Sequence, residues 1–123
     1  MKKPSILIVE DDVIIALSLL ELLHRSGYEV PDPVASGEEA LHYLTQFPAP
    51  DLILMDIKLY GGSDGIEIAG QIRKNSDIPI IFISAHYDDF RRARAGEIAR
   101  SGFIVKPFAN RDVLSQIEEM LHR

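Results

Sequence analysis

The chain has 123 residues and a formal charge of −6 from 19 acidic and 13 basic residues, which suits one domain and leaves little room for a second. It is 46% hydrophobic and 26% charged, the balance of an ordinary globular domain with a real core, and the acidity argues against wrapping nucleic acid. It has no cysteine, which excludes a disulfide scaffold and a thiolate metal centre; no run approaches the ~18 apolar residues of a membrane span or has the form of a signal peptide.

The first predicted element, Ser5–Val9, is an unbroken apolar run that stops at Glu10, Asp11 and Asp12. Runs of Ile, Leu and Val without alternation are how strands buried on both faces read. Val13–Leu23 has helical spacing but is apolar almost all round, so it must be unusually buried or offer an apolar face to something else. Val30–Val34 is the second predicted strand. Ser36-Gly37-Glu38-Glu39 is a capping box, opening a helix with Ala40, Leu41, Leu44 and Phe47 on one face. Leu52–Met55 is the third strand and leads to Asp56. Asp64 is placed to cap a helix, with Glu67 three residues on and Ile68, Ala69 and Ile72 as its buried stripe. Ile78–Ile83 is the fourth strand and leads to Ser84. Asp88–Ala99 is an Arg-rich helical segment with Gly96 inside it. Gly102–Val105 is the fifth strand and leads to Lys106; Val113, Leu114, Ile117, Met120 and Leu121 then keep helical spacing toward the C-terminus.

Strand and helix alternate five times. That order predicts an α/β fold with a parallel sheet, helices on both faces and right-handed crossovers. Ligands of such sheets bind outside the carboxyl ends of the strands. There the sequence places Glu10, Asp11 and Asp12, then Asp56, Ser84 and Lys106. Taken singly, each has a bland reading: a strand-end Asp is commonly a cap or a turn residue, Lys106 a surface lysine, Ser84 a cap. All at one edge, they point to chemistry. Crowded carboxylates repel unless something neutralises them. A hard divalent cation does so, and Mg²⁺ takes one or two carboxylates plus waters and phosphate oxygens. Lysine and a serine hydroxyl suit phosphoryl oxygens. The set predicts metal-assisted phosphoryl chemistry with one carboxylate as nucleophile. Asp12 is read apart from the set, as the N-cap of the following helix.

The motifs LIVEDD, LILMDIKL, IIFISA and FIVKPF, in this order and spacing, resemble the receiver domain of two-component response regulators, over essentially the whole chain. The resemblance implies a flavodoxin-like doubly wound (βα)5 three-layer sandwich with strand order 2-1-3-4-5, and a single receiver domain over residues 1–123. It makes Asp56 the phosphoacceptor. Glu10 and Asp11 become the acidic pair holding Mg²⁺, with Asp56 and the Lys58 backbone carbonyl as further ligands. Ser84 becomes the hydroxyl that turns toward the phosphoryl group, Lys106 the lysine that pairs with it, and Phe103 the switch aromatic. It further implies a cis Lys106–Pro107 bond. One departure stands out: the loop Asp56-Ile-Lys-Leu-Tyr-Gly-Gly-Ser-Asp-Gly65 is one residue longer than the common pattern and carries Tyr60 where Pro is usual.

A domain of this kind is a cytoplasmic signalling module rather than an enzyme, though it assists its own phosphorylation and dephosphorylation. Its expected partners are a histidine kinase or histidine phosphotransfer protein docking near the first helix, through an exposed residue such as Ile14. A downstream protein or a second receiver is expected on the 88–121 face, where Arg91, Arg92, Arg94 and Arg100 give local positive charge. Direct DNA binding and membrane contact are not expected. No output segment follows residue 123, so the chain is read as a stand-alone receiver or as part of a larger regulator or hybrid kinase. Three other readings compete, one of them a receiver that no longer takes phosphate, against which the intact Asp56, Glu10, Asp11, Ser84 and Lys106 argue. A small Mg²⁺-dependent phosphatase of haloacid-dehalogenase type would need an Asp where Lys58 stands. A flavodoxin-like FMN carrier would need a Ser/Thr/Gly-rich phosphate loop where Glu10, Asp11 and Asp12 stand.

Overall fold

A computed structural model describes residues 3–62, 64–84 and 89–122, with residues 60 and 89–92 described through the backbone alone. Four strands, β1 (Ile6–Val9), β2 (Leu52–Asp56), β3 (Ile80–Ser84) and β4 (Ser101–Val105), form one sheet in the order β1-β2-β3-β4. Every pairing is parallel, with Ile6 opposite Leu52, Ile53 opposite Ile80, and Ile80 opposite Ser101. Among the described residues five α-helices accompany the sheet: α1 (Val13–Arg25), α2 (Gly37–Gln46), α3 (Gly65–Arg73), α4 (Asp89–Gly96) and α5 (Asn110–Leu121).

Alternate residues of each buried strand feed two separate cores. Ile6, Ile8, Leu52, Leu54, Ile81 and Ile83 pack with Leu19 and Leu23 of α1 and Val113 and Ile117 of α5. Leu7, Val9, Ile53, Met55, Ile80 and Phe82 pack with Ala40 of α2, Ile68 and Ile72 of α3 and Ala95 of α4. This is the predicted three-layer sandwich, with α1 and α5 on one face. Burial on both faces is what the unbroken apolar runs required.

The expected five-stranded sheet needs one correction. The Val30–Val34 segment lies in its predicted place, beside β1, but two isolated parallel bridges replace a regular strand: Ser5 with Glu29, and Val9 with Val34. Between these bridges β1 advances four residues and the edge five, so one residue bulges. Pro31 and Pro33 also lack the N–H a ladder needs, which confines such a segment to an edge.

Helix starts follow local chemistry. Asp12 Oδ1 accepts from the N–H groups of Ile14 (3.0 Å) and Ile15 (3.2 Å), so the N-cap expected there is present. Ser36 Oγ accepts from Glu39 N–H at 3.1 Å, while Glu39 Oε2 accepts from Ala35 N–H at 2.7 Å. That is the capping box with its return bond displaced by one residue. Asp64 Oδ1 accepts from Ile66 N–H at 2.8 Å. Phe47 departs from expectation: it follows the last turn of α2, is 55% exposed, and stacks on Tyr43 with ring centroids 4.8 Å apart. Among the described residues no helix is long and apolar enough to cross a membrane.

Candidate metal and phosphoryl site

The carboxyl edge of the sheet gathers the residues picked from the sequence. Glu10 directly follows β1, Asp56 ends β2, Ser84 ends β3, and Lys106 directly follows β4. Among the described residues Glu10, Asp56 and Ser84 are the buried polar side chains, at 3%, 5% and 6% exposure. Carboxylate oxygens of Glu10, Asp11 and Asp56 all lie within 4.8 Å of one another, and the group could hold a metal ion. Asp11 is exposed, so the cluster opens to solvent on that side.

Lys106 reaches into the cluster. Its Nζ stands 2.7 Å from Glu10 Oε1 and 3.4 Å from Asp56 Oδ2. The backbone anchors this lysine, because Lys106 N–H donates to the Ser84 carbonyl at 2.7 Å. The Lys106–Pro107 bond is cis, as the resemblance implied. Glu10 Oε2 accepts from Asp12 N–H at 3.2 Å. Glu10 Oε1 is buried and, despite the nearby ammonium, has no aligned hydrogen-bond donor among the described residues. Asp56 Oδ1 accepts from Lys58 N–H at 3.3 Å. A buried carboxylate oxygen without an aligned donor, beside two further carboxylates, suits a hard cation with oxygen ligands.

Electrostatics agree with crowding. Burial, reinforced by neighbouring Asp56 and only partly offset by Lys106, pushes the Glu10 carboxyl up to about 6. Asp11 is raised too, by desolvation and by Glu10. Burial alone would lower Lys106, but Glu10 and Asp56 together outweigh it and raise the ammonium above its usual range. The Glu10 shift has a stability consequence. A carboxyl raised from 4.5 to about 6 contributes stability that is complete below pH 4.5 and lost as pH rises through about 6. In EDTA, the parent protein should therefore lose about 2 kcal/mol relative to Glu10→Gln between about pH 3.5 and about pH 7, read from urea unfolding. Parallel pH profiles for parent and variant would contradict this.

The loop after Asp56 contains a short 3₁₀ turn at Tyr60–Gly62 and an antiparallel bridge between Lys58 and Asp64. Gly61 (φ 83°) and Gly62 (φ 78°) in this loop take left-handed conformations that favour glycine. Asp64, besides capping α3, pairs through Oδ2 with Arg94 Nη1 of α4 at 3.5 Å. This inter-element pair was not foreseen from the sequence. Asp88 of the predicted Asp88–Ala99 helical segment lies outside the described residues, as do the Arg91 and Arg92 side chains. Phe103 is half-buried on β4 opposite Phe82, and its carbonyl accepts from Gln116 Nε2 at 3.1 Å.

On α1, Val13, Ile14 and Leu17 are exposed, with Ile14 at 79%. The helix is therefore not simply buried all round. Ile14 and Ile15 share a cleft of about 410 Å³ with Lys106, Pro107 and Phe108, so the apolar patch adjoins the site.

Residues 6–118 match the family model described as the response regulator receiver domain. The transcriptional regulatory protein BaeR of Escherichia coli O6:H1 is 37% identical over 120 residues, covering 98% of this chain and 49% of that protein. The chain spans about half the length of the curated relatives it matches. Among solved structures, the signal receiver domain of a modulated diguanylate cyclase from Desulfovibrio desulfuricans G20 is 35% identical with a TM-score of 0.87, over 98% of this chain and 95% of that one. A CheY-like response regulator receiver domain protein from Methanospirillum hungatei JF-1 is 28% identical with a TM-score of 0.90, over 98% and 95%. The chain belongs to the response regulator receiver domain family.

Proposed function

We propose that this receiver domain takes a phosphoryl group from a histidine kinase or histidine phosphotransfer domain onto Asp56, with Mg²⁺, and switches conformation to control a partner. The observation that carries this reading is the convergence of Glu10, Asp11 and Asp56 around one point with Lys106 beside them. In this reading Glu10, Asp11, Asp56 and the Lys58 carbonyl hold the ion. Held there, Mg²⁺ would supply neutralisation of the charge on the phosphoryl oxygens during transfer. Asp56 attacks phosphorus, and the bond from phosphorus to the donor nitrogen breaks as the bond to the carboxylate oxygen forms. Lys106 leaves part of its pairing with Glu10 to meet a phosphoryl oxygen. The Ser84 hydroxyl turns toward another, and Phe103 follows into the space vacated beside β4. The domain acts as a signalling module of the cytoplasm, and its readout face is α4, β4 and α5.

The phosphatase alternative gains nothing, since its second acidic position is occupied by exposed Lys58. Incubation with Mg²⁺ and acetyl phosphate tests the proposal. One acid-stable, hydroxylamine-labile adduct should form, and none in EDTA; metal-independent labelling would overturn it.

Donor docking is assigned to the exposed α1 patch, because it adjoins Lys106 and such patches mark interaction sites. Ile14→Ser should slow transfer from a phosphotransfer protein by about tenfold, the scale of a truncated interface anchor. Labelling by acetyl phosphate should stay unchanged. Equal loss in both assays would mean misfolding and remove the docking role.

A further inference from the structure

A second surface, away from α1 and the metal cluster, has the form of a docking cleft. It measures about 1010 Å³ and lies between the edge segment 31–36 and α2, reaching Gly61 at one end. Its apolar lining includes Pro33, Val34, Tyr43 and Phe47. Phe47 is 55% exposed although its ring is fixed by stacking on Tyr43. A large aromatic held in place yet left in water is a ready anchor point. Among the described residues the same lining holds three carboxylates, Asp32, Glu38 and Glu39, with His42 and no lysine or arginine.

The geometry limits what can bind. An extended peptide adding a strand to this edge would need a regular row of backbone donors. Pro31 and Pro33 remove two of them, and the bulge between the Glu29 and Val34 bridges spoils the register. Recognition must therefore run through side chains. An apolar floor with an acidic rim complements an apolar or aromatic side chain flanked by Lys or Arg. An acidic segment would meet three like charges, and the chain's net charge of −6 would repel it further.

We propose that the cleft between segment 31–36 and α2 binds a basic amphipathic protein segment, seating an apolar side chain on Phe47 and Tyr43 and its cationic flanks on Asp32 and Glu38. This surface lies outside the α4–β4–α5 readout face and outside the α1 patch. It does not depend on phosphoryl transfer, so its fate and that of the proposed function can be judged separately.

The test is an amide chemical-shift titration of the unphosphorylated protein with a short amphipathic peptide of Lys, Leu and Trp. Two controls accompany it: the same peptide with Glu for Lys, and with Ser for Leu and Trp. Shifts should gather on residues 31–47 and Gly61. Phe47→Ala should weaken binding by about fivefold or more, the effect of losing an interface anchor. Asp32→Asn with Glu38→Gln should weaken it and flatten its salt dependence. Because Phe47, Asp32 and Glu38 are all exposed, these variants keep the core intact. Shifts gathered on α1 instead, equal binding of the Glu-bearing or Ser-bearing peptide, or indifference to Phe47→Ala would each overturn the proposal.

Discussion

Neutralising the acidic pair proposed to hold Mg²⁺, Glu10→Gln with Asp11→Asn, should cut phosphorylation from acetyl phosphate by at least about 10²-fold, the scale of losing one electrostatic stabiliser of a transition state. The same change should leave the fold intact and make the metal-free protein more stable. Both effects come from one cause. Three carboxylates share a space 4.8 Å across, and two of them are almost fully buried. Without a cation, Lys106 is their compensation, 2.7 Å from Glu10 and 3.4 Å from Asp56. That is not enough, as the raised Glu10 carboxyl shows. Removing negative charge relieves the apo protein but, in the proposed function, removes the ligands that would bring a cation to the phosphoryl oxygens. Thermal unfolding in EDTA and labelling in Mg²⁺ read the two halves. If Asp11→Asn alone is less stable in EDTA than the parent, the crowding explanation fails.

Gly65→Ala should destabilise the domain by about 3 kcal/mol, the upper end of what overpacking typically costs. A Cβ built on Gly65 would overlap the backbone carbonyl oxygen of Asp56 and stand 3.0 Å from Ile57 Cα. Neither contact is with a flexible side chain, so the backbone itself must move. Gly65 N–H also donates to the Ile57 carbonyl at 2.7 Å, which sets how closely α3 approaches the end of β2. Displacing that contact displaces Asp56, so labelling should slow along with the loss of stability in urea. A stability within about 0.5 kcal/mol of the parent, the range of ordinary surface changes, would show that the close approach is not needed.

How far the sequence revealed this molecule depended on the kind of signal. The buried strands were legible because runs such as Ile6–Val9 and Leu52–Met55 have only one comfortable place, between two helical layers. The site was legible because Glu10, Asp56, Ser84 and Lys106 each sit at or just past a strand end, and parallel strands bring those ends to one edge. Caps were legible because Asp12, Ser36 and Asp64 act within three residues of themselves. The edge was harder. Val30–Val34 is apolar enough for a strand, and Pro31 and Pro33 were the signal against a regular one. Phe47 keeps helical spacing with Ala40 and Leu44, but α2 stops one residue before it. Periodicity carries no information about that stop. Pairings between distant elements, such as Arg94 with Asp64, depend on side-chain geometry that spacing along the chain does not encode.

The central claim is that Asp56 alone is the phosphoacceptor. Intact-mass measurement of parent and Asp56→Asn after incubation with Mg²⁺ and acetyl phosphate tests it most directly. The parent should gain a single phosphoryl group that hydroxylamine removes, and Asp56→Asn should gain none while keeping its fold by circular dichroism. Labelling of Asp56→Asn at the parental rate, on Glu10, Asp11 or any other residue, would contradict the account.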